Sequence, residues 1–229
     1  MSEIVKTRKA LFPEPVAELL RALDAAGFFE QSMLIGSWAM PLYREFFEID
    51  YILRTMDIDF AVRFVPGKKT RQTDLAATIT NLGYIPVFTQ SGLQKFSREN
   101  FAVEFIAQRR GGRDDPLTFI PEWNITAVPL PFIDVLLDFP FTAQCKGFRV
   151  RAPLPEAFFI HKLITADRRR GEEKRNKDLE QCSVIAPKLE LTRLRNIAES
   201  LRISKRTRAA ITSSCQAIGF PPHFLDLQP

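Results

Sequence analysis

The stretch Thr55-Met56-Asp57-Ile58-Asp59-Phe60-Ala61-Val62-Arg63-Phe64 decides how this chain is read. Met56, Ile58, Phe60, Val62 and Phe64 alternate with Thr55, Asp57, Asp59, Ala61 and Arg63, so the segment reads as a strand with one apolar and one polar face. Asp57 and Asp59 are two positions apart and project from the same face, with Cα atoms roughly 6.5 to 7 Å apart. Aspartate is depleted from strand interiors, and two like charges so placed repel each other. Either the face is simply solvated, or the pair holds a cation such as magnesium together with substrate phosphates.

Upstream, Met33-Leu34-Ile35 reads as a short buried strand running into Gly36-Ser37, and Ala39 to Phe47 as a helix with Pro41 tolerated in its first turn. Gly-Ser between a strand and a helix is either an ordinary turn or a place where backbone N–H groups and a hydroxyl hold phosphate oxygens. Before it, Val16, Leu19, Leu20 and Leu23 set out an amphipathic helix ending at Gly27. Downstream, Thr70 to Leu82 reads as a helix, followed by a meander of strands at Tyr84 to Phe88, Leu93 to Ser97 and Phe101 to Ala107. In the last of these Phe101, Val103, Phe105 and Ala107 share one face, so Glu104 points to the other, toward Asp57 and Asp59 if the strands are neighbours. Arg109 to Pro116 is a polar turn, and Leu117 to Pro131 reads as a loop with one short strand. A hairpin follows at Phe141 to Cys145 and Phe148 to Ala152. The boundary falls at Pro153, dividing residues 1–153 from a helical region at 154–229 whose helices are expected at 156–168, 173–189, 191–201 and 204–218.

The 229 residues are 45% hydrophobic and 26% charged, enough to bury a core unaided and far from the composition of disordered chains. The twenty phenylalanines fall mostly at apolar positions, which makes them core rather than base-stacking platforms. Cys145, Cys182 and Cys215 form no close-spaced pair, which fits reduced thiols and neither a disulfide framework nor a zinc knuckle. Only two histidines, His161 and His223, are present, so histidine-rich metal sites are excluded and a metal must be bound by oxygen. His161 reads as a packed or surface residue rather than a catalyst. No signal peptide is evident, and Val128 to Leu137 is broken by prolines and far shorter than the roughly 20 residues that span a bilayer. No membrane association is expected, and a cytoplasmic location is. The net charge of +5 favours acidic or phosphate-bearing partners.

Taken together, Gly36-Ser37, Met56-Asp57-Ile58-Asp59-Phe60 and Val103-Glu104-Phe105 resemble the DNA polymerase β-like nucleotidyltransferase superfamily, whose pattern is Gly-Ser, then a strand with alternating aspartates, then a third strand carboxylate. The helical region, with Leu154-Pro155-Glu156 through Leu163 and Lys174-Arg175-Asn176-Lys177-Asp178-Leu179, resembles that of uncharacterised bacterial nucleotidyltransferase-like proteins, including the AbiEii-type toxin group. The resemblance implies an α+β nucleotidyltransferase fold, a mixed β-sheet flanked by helices with a C-terminal helical region closing one side of a cleft. It implies transfer of a nucleoside monophosphate from an NTP, ATP among them, to an acceptor hydroxyl with release of pyrophosphate. Asp57, Asp59 and Glu104 would bind two Mg²⁺ ions, or Mn²⁺ in their place. Gly36 and Ser37 would hold the β- and γ-phosphates, Lys162 would meet the triphosphate, and Lys177 and Asp178 would lie near the nucleotide.

The chain departs from that pattern in two places. About 20 residues separate Ser37 from Asp57, so the Arg44 to Arg54 insert must lengthen the helix or form a loop over the site. The third carboxylate is Glu104 rather than the more frequent aspartate, and Asp134 in Phe132 to Leu136 is its rival. Arg168, Arg169, Arg170 and Arg175 form either a solvated face or a basic rim for nucleic acid or nucleotide. The acceptor stays open between RNA, a protein and a small molecule, as does the need for a partner protein. The rival functions are a toxin-like member of the same fold, a scaffold or nucleic-acid-binding module without catalysis, and, more distantly, a nuclease.

Overall fold

The computed structural model describes residues 3–63, 73–90, 92–109 and 117–225. In chain order the elements are β1 (Glu3–Lys6), α1 (Glu14–Ala25), β2 (Met33–Ile35), α2 (Met40–Phe47), β3 (Asp57–Val62), α3 (Leu75–Asn81), β4 (Ile85–Phe88), β5 (Gln94–Arg98), β6 (Phe101–Gln108), β7 (Thr118–Ile120), β8 (Ile125–Leu130), α4 (Ile133–Asp138), β9 (Pro140–Cys145) and β10 (Phe148–Pro153). Four helices complete the chain: α5 (Pro155–Ala166), α6 (Glu172–Ile185), α7 (Leu191–Ser200) and α8 (Lys205–Ala217).

The main sheet is mixed and runs β2-β3-β6-β5-β4. β3 lies antiparallel to β2 and parallel to β6. The other edge of β6 is divided: β5 pairs antiparallel with its first half, and β8 pairs parallel with its last residues. The alternation read from the sequence sets which face is dry. Ile58, Phe60, Val62, Val103 and Phe105 are fully buried, and their rings stack with those contributed by the α1–β2 connection. Phe28 meets Phe60 at 5.3 Å and Phe105 at 5.9 Å, and Phe60 stacks on Phe105 at 5.7 Å. Each such side chain contributes about 2 to 3 kcal/mol by leaving water.

A second sheet, β1-β9-β10, forms when β1 joins the hairpin in parallel. Tyr43 of α2 donates a hydrogen bond from its buried hydroxyl to the Pro153 carbonyl at 2.8 Å, fastening the hairpin's end to the helix after Gly36-Ser37. The chain then enters α5, whose residues from Pro155 to Ile164 are all buried. α6, α7 and α8 pack around it, and Ser214 Oγ donates to the Leu163 carbonyl at 2.9 Å. One hydrophobic cluster runs without a break from the sheet side chains through Phe158 and Leu163 to Leu194 and Ile211. No helix among the described residues is long and apolar enough to cross a membrane.

Three sequence expectations change. Residues 117–131 hold two paired strands, β7 and β8, rather than one short strand in a loop. The inward face of β8 is Ile125, Ala127 and Pro129, too small and proline-interrupted to show as an apolar alternation. β1 and α4 were not anticipated; β1 exists through pairing with β9, with Glu3 opposite Phe141, a contact between distant positions that local pattern cannot announce. β3 begins at Asp57, leaving Met56 51% exposed ahead of it. The expected ends at Phe64 and Thr70 and the turn over 110–116 lie outside the described residues.

Because Phe105 is the ring shared by the sheet and the α1–β2 connection, Phe105→Ala should cost about 3 to 5 kcal/mol, read as a lower urea midpoint with an unchanged denaturant slope.

Candidate active site

The polar faces of β3 and β6 open into a cleft of about 290 Å³ whose far wall is built by α5 and α6. Gly36, Ser37, Asp57, Asp59, Glu104, Lys162, Lys177 and Asp178 all line it. Strand register is the reason on the sheet side. Asp59 sits opposite Ile35 on β2 and opposite Glu104 on β6, so two carboxylates and the start of the Gly-Ser turn become neighbours. Gly36 has a φ of +65°, and a Cβ placed on it would stand 2.5 Å from Asp59 Oδ2. Glycine is therefore demanded twice, by the left-handed backbone and by the close approach of a carboxylate.

Asp59 is held in an uncomfortable place. Burial first, then the charge of Glu104 and that of Asp57, push its carboxyl from the ordinary 3.8 up to about 6, against the pull of Lys162 and Lys177. Glu104 itself forms an ion pair with Lys95, its cross-strand neighbour on β5. Asp134, the rival carboxylate, lies on α4 and does not line the cleft.

On the helical wall Asp178 of α6 accepts hydrogen bonds from Lys162 Nζ and, at 2.8 Å, from Arg169 Nε. Desolvation works to raise its pKa, but the Lys162 charge and the Arg169 hydrogen bond hold the carboxyl below its ordinary range. The Lys162 ammonium also lies 5.3 Å from the Phe158 ring centre, so both cations are pinned at the cleft by one buried anion. Beside them His161 is driven down to about 3 by burial and by Lys162, which leaves a neutral imidazole and a poor base at neutral pH.

Sequence reasoning passed over several residues of this cleft. Gln181 is fully buried and donates to Ser37 Oγ at 2.8 Å, tying the Gly-Ser turn to α6. Its signal was present: Lys174, Lys177, Asp178 and Gln181 recur at helical spacing, one face of α6. Thr55 and Thr165 also line it, and nothing local marks them, whereas Arg169, one of the basic run read as a solvated face or a rim, lines it too. The Arg44 to Arg54 insert does not lengthen the helix. α2 stops at Phe47, Glu48 turns left-handed at φ 55°, and residues 48–56 run without regular structure. Arg54 pairs with Glu180 at 3.6 Å and Glu48 with Lys188 at 3.0 Å, which lashes this loop to α6 and its extension.

The carboxylate oxygens of Asp57, Asp59 and Glu104 suit a hard divalent cation, and the repulsion around Asp59 is what such a charge would relieve. As they stand, no three His, Cys, Asp or Glu side chains among the described residues converge closely enough to hold an ion, and Glu104 is engaged by Lys95.

Residues 14–203 match a protein family described as nucleotidyltransferase. Among solved structures the chain is similar to an antigenic nucleotidyltransferase-like protein from Paracoccidioides brasiliensis, at 15% identity and a TM-score of 0.54, covering 93% of this chain and 94% of that one. It is also similar to the antibiotic-resistance factor ANT(2'')-Ia, at 16% identity and a TM-score of 0.46, covering 90% and 94%. The first likeness shows a shared fold. None of the curated proteins matches the chain.

The raised pKa of Asp59 has a signed consequence for stability. Its carboxylate form disfavours the fold, so stability falls as pH rises from 3.8 through about 6. In buffer freed of divalent ions, Asp59→Asn should raise the melting temperature at pH 7.5, by the equivalent of up to about 3 kcal/mol, and the gain should fade near pH 4. Thermal unfolding across that range measures it.

Proposed function

The chain belongs to the nucleotidyltransferase family, and on that premise we propose that it transfers a nucleoside monophosphate from an NTP to an acceptor hydroxyl. The observation that supports this most is the convergence in one cleft of side chains that stand more than 140 positions apart in the chain, from Gly36 to Asp178. An ordinary strand face or helix surface has no need of such convergence.

In this reading Asp57, Asp59 and Glu104 would hold Mg²⁺, or Mn²⁺ in its place, which when bound would supply charge neutralisation for the phosphates and polarisation of the acceptor oxygen. The Gly36 backbone and the Ser37 hydroxyl hold the terminal phosphates, with Ser37 kept in place by Gln181. Lys162 and Lys177 face the charge that gathers on the leaving pyrophosphate, and Asp178 positions Lys162. The acceptor oxygen forms a bond to the α-phosphorus as the bond to the bridging β-oxygen breaks. The electron pair of that bond leaves with pyrophosphate, and the hydroxyl proton passes by way of Glu104 to water. His161, neutral and buried, takes no part in this proton transfer.

Calorimetric titration of each NTP with Mg²⁺ tests the reading without knowledge of the acceptor. The wild type should bind at least one NTP in a metal-dependent way, and Asp57→Asn should weaken it at least about tenfold, near 1.4 kcal/mol. Failure of all four NTPs to bind a folded wild type would return the chain to the scaffold reading. Glu104 must exchange Lys95 for the cation, so Lys95→Met should tighten Mn²⁺ binding several-fold in the same instrument; weaker binding would mean that Lys95 supports the site instead.

A further inference from the structure

The net charge of +5 is unevenly placed. Residues 154–229 carry fourteen Lys and Arg against nine Asp and Glu, while residues 1–153 carry eighteen of each. The whole excess therefore sits on the C-terminal helices. Of the fourteen, Lys162 and Arg169 share Asp178, Lys188 reaches Glu48 and Arg193 faces Glu156. The other ten have no carboxylate at ion-pair distance among the described residues.

Six of these ten lie along one path. Lys174 and Lys177 line the cleft opposite Asp57 and Asp59. Arg168 and Arg170 are exposed at the end of α5, beside the cleft-lining Arg169. Arg168 then donates from Nη2 to Thr207 Oγ1 at 3.1 Å while its guanidinium lies 4.6 Å from the Phe132 ring centre, which fixes the end of α5 against the start of α8. Exposed Lys205 and Arg206 stand there, outside the cleft lining. Apart from Arg168, held as above, these cations are tied to the fold by no ion pair among the described residues, and although exposed Asp167, Glu172 and Glu173 stand among them, the excess along the path is positive. A nucleotide in the cleft can meet Lys174 and Lys177, but Lys205 and Arg206 lie beyond the cleft that would hold it.

We propose that the acceptor is a nucleic-acid strand whose phosphate backbone lies along this path, with its terminal hydroxyl presented to Asp57, Asp59 and Glu104. The assignment rests on the nucleotidyl-transfer reading and names its acceptor class. The strand's regularly spaced phosphates match a path that begins at the cleft and leaves it, whereas a small cationic acceptor would be repelled by it. The bond that forms is a phosphodiester between the terminal oxygen and the α-phosphorus, with pyrophosphate released as above.

The test uses fluorescence anisotropy with a labelled structured RNA and with DNA of the same sequence, at several KCl concentrations. Four or five phosphate contacts should lower log K by roughly 3 to 4 per decade of salt. Lys205→Glu with Arg206→Glu, and separately Arg170→Glu, should weaken binding roughly tenfold and flatten that slope, while calorimetric NTP binding stays unchanged. Transfer of labelled nucleotide to the strand should fall by the same factor. The RNA and DNA arms identify which sugar the path accepts. Wild type that binds NTP but neither polynucleotide would overturn the proposal, as would equal polynucleotide binding by the reversed variants, or binding confined to anionic vesicles. Polynucleotide binding by a wild type that takes no NTP would remove the acceptor role and the transfer reading together.

Discussion

The parallel pairing of β3 with β6 places Asp59 beside Glu104, and Gly36 closes on Asp59 from β2's end, so that no Cβ can stand between backbone and carboxylate. Much else in the molecule answers to that crowding. The apolar faces of the same strands are filled by Phe60, Phe105 and Phe28, and this ring packing holds the register that forces the carboxylates together. The fold thus maintains a repulsive arrangement on one face with burial on the other, stability given up where the carboxylates gather.

The helices supply the opposite sign. Lys162 and Arg169 are long cations that would otherwise swing into water, and Asp178 holds both with a carboxyl that their charges keep ionised. Gln181, one turn further along α6, reaches the Ser37 hydroxyl, so a single helix face both orients the cations and steadies the Gly-Ser turn. The loop at 48–56, lashed to α6 through Arg54 and Glu48, gives the longer connection between Ser37 and Asp57 a place in the same assembly. Charge is divided along the chain in the same sense: residues 1–153, which carry as many cations as anions, bear the carboxylates, and the basic residues 154–229 supply the helices that face them.

Strand and helix patterns carry the parts of this fold that depend on local periodicity. The alternation in Asp57–Val62 and Phe101–Gln108, the proline and glycine stops, and the helical run after Pro153 are all legible because each element buries one face of regular period. The site was legible to the same extent. Asp-x-Asp in a strand is anomalous on its face, Gly-Ser between strand and helix is informative only in its company, and Lys162 and Asp178 stood out through family likeness. By contrast β1, the pairing of β8 with β6 and the short α4 depend on partners distant in sequence, and Ala127 and Pro129 are too modest to advertise a strand.

What the sequence by itself determined is the kind of group at each position: two carboxylates on one strand face, a glycine before a serine, cations at helical spacing, no histidine-rich set. What only the tertiary structure decided is their company. Register set Glu104 rather than Asp134 beside Asp59, cross-strand pairing gave Glu104 to Lys95, and helix packing brought Gln181 to Ser37 and Arg168 to Thr207. The physical reason is range. Periodicity and side-chain chemistry act within a few residues of chain, whereas a carboxylate's partner is chosen by which strands and helices bury their apolar faces against one another.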